Sequence, residues 1–167
     1  FYPSLTKNAT LYFTRNNGDS GDDIFVSEFT GGKYGMPKPL PVTVNSTWDD
    51  FNAFIDPDEK YIIFSSVKRK DDQGRGDLYY SLHDNGSWQP AVHFGKGVNS
   101  TALDYSPFVT ADGRYFFFSS KRRIIKFPFP VSKTAKEIKD ELNSYGNGFE
   151  DIYIMNFRAI EDIMRKK

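Results

Sequence analysis

The repetition inside this chain narrows its fold more than any other feature. Asp104 to Ser120, DYSPFVTADGRYFFFSS, follows the pattern of Asp50 to Ser66, DFNAFIDPDEKYIIFSS, with an offset of 54 at both ends (104 − 50 and 120 − 66). A shorter version opens the chain, FYPSLTKNATLYFTR over Phe1 to Arg15, and aligns with the other two once one residue is dropped from the turn. Each copy has an apolar arm, a polar turn (Lys7-Asn8-Ala9-Thr10, Pro57-Asp58-Glu59-Lys60, Ala111-Asp112-Gly113-Arg114) and a second, denser apolar arm. Two β-rich runs around an Asp/Asn/Gly turn read as an antiparallel hairpin. A chain with three such copies is a repeat array, and its function has to be argued from that architecture.

A second element recurs behind each hairpin: DIFVS from Asp23, DLYYS from Asp77 and DIYIM from Asp151. Turns follow the first two, at Thr30-Gly31-Gly32-Lys33 and Asp84-Asn85-Gly86-Ser87, and a fourth run ends in Val-Asn-Ser at Asn45-Ser46 and Asn99-Ser100. Four short antiparallel strands per roughly 50 residues, repeated, predict an all-β fold of propeller blades. The boundaries fall at 1–47, 48–101 and 102–167. Tyr61-Ile-Ile-Phe64 and Tyr115-Phe-Phe-Phe118 are apolar at successive positions, hence on both faces of their strands. Strands sandwiched between neighbouring sheets need that, and Phe117 and Ile63, at equivalent central positions, are expected to be fully buried.

The third repeat carries an insertion, 124–147. Thr134 and Glu137 form a capping box, and Ile138 and Leu142 share a face, so a short helix is expected near 133–143. The Phe127-Pro-Phe-Pro130 lead-in is expected to be extended. The tail, Phe157 to Lys167, reads either as a last outer strand or as a short closing helix.

Taken together, DFNAFIDPDEKYIIFSS, GDLYY from Gly76 and WQPAVHFGKGVNS from Trp88 resemble the TolB-type, WD-repeat-like β-propeller repeat. More narrowly, the inserted helix and the closing Gly146-Asn147-Gly148 with Asp151-Ile-Tyr are similar to the C-terminal half of exported six-bladed propellers of Bacteroidetes-like bacteria. The chain departs from the pattern at Ala53, where Pro is usual, at His93, where Asn is usual, and in its charged tail. The resemblance implies three blades of a six-bladed ring, and because three blades leave two open sheet edges, the ring is expected to be completed by preceding blades or by a second copy of the chain. It further implies a binding or scaffold protein that is exported, in the periplasm or at the cell surface of a Gram-negative bacterium.

Composition closes several alternatives. Lys and Arg number 22 against 22 Asp and Glu, so no global field favours nucleic acid or anionic membrane. There is no Cys, and no apolar run approaches the ~20 residues of a membrane-spanning helix. Phe1 already lies inside a repeat, so the chain is expected to be a piece of a longer protein. His83 and His93 are the only histidines and fall in different strands, which leaves no multi-His metal site. No Ser/His/Asp grouping is present, and no cofactor or metal is expected.

In a propeller the loops joining strand pairs gather on one face, here called the loop face, and the hairpin turns on the other. The loop face is expected to carry Trp48, Asp49, Asp50, Asp104, Lys121, Arg122 and Arg123 together with the insertion. Lys121-Arg122-Arg123 reads as an anion clamp or a solvated loop; Trp48 as a sugar platform or a packing aromatic. Asp50 and Asp104 read first as loop-capping residues and second as ligand-facing carboxylates. Arg75-Gly76-Asp77 reads as the start of a strand. The expected function is non-enzymatic binding of a partner protein or a glycan through the loop face. The alternatives are a glycan-active hydrolase or lyase using Asp50 and Asp104, and a structural half-propeller completed by association.

Overall fold

The computed structural model describes residues 1–18, 21–124 and 131–166. The first part of the chain forms β1 (Ser4–Leu5), β2 (Leu11–Asn16), β3 (Asp22–Ser27), β4 (Phe29–Thr30), β5 (Lys33–Tyr34) and β6 (Lys38–Pro39). Strands β1-β2-β3-β6 make one antiparallel sheet, and β4 with β5 makes a separate hairpin. Gly31 and Gly32 turn that hairpin with φ of 62° and 80°, the left-handed pair that a tight two-residue turn needs. The second sheet contains β7 (Asp50–Ile55), β8 (Tyr61–Ser66), β9 (Asp77–Asp84) and β10 (Ser87–Trp88) in that spatial order, and β11 (Val92–His93) also pairs with β9. The third holds β12 (Asp104–Val109), β13 (Tyr115–Ser120) and, after helix α1 (Ala135–Leu142), β14 (Asp151–Asn156). Helix α2 (Phe157–Arg165) follows directly. The fold is therefore all-β, built of curled antiparallel sheets with two short helices.

The three sheets share one register. Leu5 faces Leu11, Ile55 faces Ile62 and Val109 faces Phe116 across the hairpins. Arg15, Ser66 and Ser120 face Asp23, Asp77 and Asp151 on the next strand. Consecutive residues of β8 then point opposite ways. Ile62 and Phe64 join Tyr12, Ile24 and Val44 in the core between the first and second sheets. Ile63 joins Leu78, Tyr80, Phe116 and Phe118 in the core between the second and third.

Phe117 departs from the sequence expectation. Ile63 is fully buried, but Phe117 is only partly so. Its face of β13 points away from the second sheet, and among the described residues no sheet covers it. The innermost strands are also kinked. The pairing of β7 with β8 and of β12 with β13 shifts register between Phe51 and Phe54 and between Tyr105 and Phe108. Asn52 and Ser106 take φ of 52° and 54° there, and Tyr2, at the equivalent place before β1, takes 52°. These are β-bulges, which re-aim a side chain at the cost of one unpaired position.

Of the two conformations open to the tail, the helix forms. Asn156 caps it through Arg158 N–H at 2.9 Å, and Phe157, Ile160 and Met164 bury one face in the core between the second and third sheets. The capping box of α1 also forms, Thr134 and Glu137 exchanging hydrogen bonds, but this helix buries no residue. Phe127 and Phe129, expected in an extended lead-in, lie outside the described residues.

Truncating Phe64, buried between two sheets, is expected to cost about 3–5 kcal/mol in urea unfolding. Val42→Ala, at a side chain 93% exposed, should stay within about 0.5 kcal/mol of the parent. Equal midpoints for the two variants would contradict the sheet stacking.

Candidate functional site

The loop face is held by buried polar groups that recur from sheet to sheet. Asn45 accepts from Ile24 N–H at 3.0 Å and donates to the Ile24 and Leu40 carbonyls at 3.0 and 3.1 Å. Asn99 repeats this on Leu78, accepting its N–H at 2.8 Å and donating to its carbonyl at 3.0 Å. Each asparagine thereby closes the backbone of a loop on the strand it returns to, satisfying groups that water does not reach. Asp77 accepts from Gln73 N–H at 2.6 Å, and Asp151 accepts from Gly146 N–H at 2.8 Å. His93 belongs to the same framework. Gly95 N–H donates to its Nδ1 at 3.0 Å, and its Nε2 lies 2.8 Å from both Asp77 Oδ2 and Asn99 Nδ2.

Asp50 and Asp104 are fully buried and spoken for. Asp50 accepts from Ser46 N–H at 2.5 Å and from Arg69 Nη2 at 2.6 Å. Asp104 accepts from Ser100 N–H at 2.6 Å, Ser100 Oγ at 2.8 Å and Arg122 Nη2 at 2.8 Å. The arginines also donate to carbonyls of the preceding repeat, Arg69 to Val44 and Arg122 to Val98. Their guanidinium planes lie over aromatic rings, Arg69 at 4.9 Å from Tyr79 and Arg122 at 4.4 Å from Tyr153. Each Arg–Asp pair is thus a stitch between successive sheets. The structure moves Asp50, Asp104 and Arg122 out of the ligand-facing set: their charges are consumed by each other and by the backbone.

The other expected site residues are accessible. Lys121 and Arg123 line a cleft of about 450 Å³ with Thr101 and Gly148, and the third cation in its wall is Arg75. Lys121 reaches Glu150 at 3.0 Å. The hydrogen bond from Lys121, and after it one from Tyr105, holds the Glu150 carboxyl below the usual carboxylate range. Arg75 separates this cleft from a neighbouring one, also about 450 Å³, where Asp49 stands with Asp22, Phe51 and Tyr105. Asp49 accepts from Asp22 N–H at 2.9 Å, and a side chain at Gly21 would overlap that carboxylate. Trp48 lies apart from both clefts, exposed, with Lys68 Nζ 4.5 Å from its ring centre.

Arg75 was legible only as a strand start. What brings it to the cleft is Gly74: a Cβ there would come within 2.5 Å of the Ala102 carbonyl, so the 67–76 loop packs directly on the 101–103 backbone. Gly76 O then accepts from Asp104 N–H at 2.9 Å. On the opposite, turn face the innermost strands enclose a groove of about 590 Å³ walled by Tyr2, Leu5, Phe54, Tyr61 and Phe108. Among the described residues no three His, Cys, Asp or Glu side chains are grouped to hold a metal ion, and no helix is long and apolar enough to cross a membrane.

No family model matches the chain, and no curated protein matches it. Among solved structures it is similar to the one described as the crystal structure of the tricorn protease, with a TM-score of 0.48 and 15% identity over 80% of this chain. The chain spans 12% of that protein's length. A likeness of that extent adds nothing to what the strands themselves show.

Removing one partner from a buried ion pair strands the other charge. Asp104→Ala and Arg122→Met are each expected to cost about 3–5 kcal/mol in denaturant unfolding. A stability within error of the parent would return these residues to the candidate ligand set.

Proposed function

We propose that this chain is three blades of a β-propeller, exported as the resemblance implies, and that it acts as a non-catalytic binding module. Its loop face takes a ligand bearing carboxylate or sulfate groups, an anionic glycan or an acidic segment of a partner protein. The observation that carries this reading is the convergence of Arg75, Lys121 and Arg123 on one cleft, in a chain whose formal charge sums to zero. Arg offers a planar fork of donors that matches carboxylate and sulfate oxygens, and Lys adds a mobile point charge. Held on loops whose backbones are fixed by Asn99, Asp104 and Gly74, these cations are pre-positioned, which lowers the entropy lost on binding.

The hydrolase alternative needs two free carboxylates about 5–10 Å apart. Its candidates, Asp50 and Asp104, are each saturated by an arginine and a backbone amide. That favours binding over bond cleavage.

Glu150 competes for Lys121 with any anionic ligand, and this gives the test two directions. On a sulfated polysaccharide column at low salt, Arg75→Glu combined with Lys121→Glu is expected to abolish retention with an unchanged melting temperature. Glu150→Gln, which frees Lys121, should move elution to higher salt. A poly-glutamate peptide in place of the polysaccharide separates the two ligand classes. A parent protein retained by neither would sink the proposal.

A further inference from the structure

We propose that the cleft beside Arg75 receives the free amino end of a peptide, so that the ligand drawn to the loop face is an acidic segment of a partner protein held by its first residue. This rests on the ligand reading above and selects the peptide over the glycan.

Two clefts of about 450 Å³ each meet on the loop face, and Arg75 and Leu103 belong to both. One holds the cations Lys121 and Arg123, the other the carboxylates of Asp22 and Asp49. Asp49 Oδ1 accepts from Asp22 N–H at 2.9 Å, and a Cβ on Gly21 would stand 2.2 Å from that oxygen, so glycine is what lets the carboxylate lie there. Apart from that amide, the two carboxylates meet only Asn16 Nδ2, 3.3 Å from Asp22 Oδ1, among the described residues. Neither forms an ion pair there, and the Arg75 guanidinium forms none either. Both aspartates are partly buried. Two like charges held together partly out of water cost free energy until a cation joins them.

These carboxylates stand outside the framework that holds the loops. Framework residues recur 54 positions on: Asp23 as Asp77, Asn45 as Asn99, Asp50 as Asp104. At the same offset Asp22 becomes Gly76 (76 − 22) and Asp49 becomes Leu103 (103 − 49), so the stacking of sheets needs no acid at either place. The cleft also lies clear of both ends of the chain. The 45–50 segment packs on the loop of the first sheet, through Asp49 and Asp22, and the 99–104 segment on that of the second, through Ala102 and Gly74. A segment joining any further repeat packs, by the same rule, on the loop of another sheet.

The rest of the wall chooses among cations. It includes Phe51, Val67, Leu103 and Tyr105, apolar and aromatic surface beside the two carboxylates. A primary ammonium carries three donors and suits carboxylates and aromatic faces together. The first residue of a peptide brings such an ammonium and an apolar side chain on one Cα. The peptide then continues past Arg75 toward Lys121 and Arg123, where its acidic side chains find their partners. A glycan bearing uronate or sulfate supplies the anions without an apolar side chain to cover that wall.

The test is fluorescence anisotropy at low salt with three probes: the peptide Leu-Gly-Glu-Glu-Glu-Glu labelled at its carboxyl end, the same peptide acetylated at its amino end, and a labelled sulfated oligosaccharide. Acetylation is expected to weaken binding by about tenfold or more, the scale of one charge-assisted hydrogen bond. Asp49→Asn keeps an oxygen for the Asp22 N–H. It is expected to lower affinity for the free peptide to that of the acetylated one, without weakening the latter and at the parent's melting temperature. Arg75→Gln should weaken both peptides. If Asp49→Asn folds poorly, the parent's comparison of the two peptides decides alone. Equal affinity of the parent for both peptides would overturn this inference and leave the cationic cleft standing. Binding of the oligosaccharide alone would overturn it in favour of a glycan. Binding of none of the three would overturn both this inference and the reading it rests on.

Discussion

A strand that is apolar on both faces has to be covered on both faces, and the rest of this structure depends on β8 meeting that demand. Ile62 and Phe64 turn one way and Ile63 the other, and all three are buried. Neither a one-faced sheet nor an isolated hairpin supplies two covers. The first and third sheets exist to do so, and because they are built on the same phrase they inherit the same demand. This is how a short repeat dictates an array: each unit creates the surface that requires the next.

Apolar burial alone does not set the distance or the rotation between sheets; the polar stitches do. A carboxylate buried as deeply as Asp50 or Asp104 is tolerable only when its lone pairs are taken up. Arg69 and Arg122 take them up while reaching back to the Val44 and Val98 carbonyls. One residue thus fixes the depth of an aspartate, the path of a loop and the contact with the preceding sheet. The loops next to the basic cleft are anchored by these bonds. Glu150, Lys121 and Arg123 sit on the outer side of that framework, where water is free to compete for them.

Much of this was legible in residue pattern. The hairpins, the capping box of α1 and the loop-capping role of Asp50 and Asp104 all follow from local chemistry, and local chemistry is what one sequence displays. The fate of Arg122 against Arg123 was not legible. The two are adjacent and chemically identical, yet one is folded inward over Tyr153 and the other lines a cleft, a difference set by one step of loop geometry. Phe117 was misjudged because its burial is a property of the neighbouring sheet, not of β13. Arg75 was passed over because the approach of its loop to residues 101–103 depends on Gly74 having no side chain, and that closeness is tertiary. The bulges at Asn52 and Ser106 were not legible either, because the extra residue shows only in the pairing with the next strand.

The positions of the clefts separate two kinds of interaction that a repeat surface could confuse. Arg75, Lys121 and Arg123 stand on loops between strands, while Leu5, Phe108, Ile152 and Ile154 stand on sheet faces. The first set is charged and attracts at long range, weakening as salt rises. The second is apolar and strengthens with salts that are excluded from protein surface. Raising ionic strength with sulfate therefore drives the two apart, weakening attraction at the charged cleft while strengthening contact between apolar sheet faces. Because no residue belongs to both sets, a substitution in one leaves the other intact.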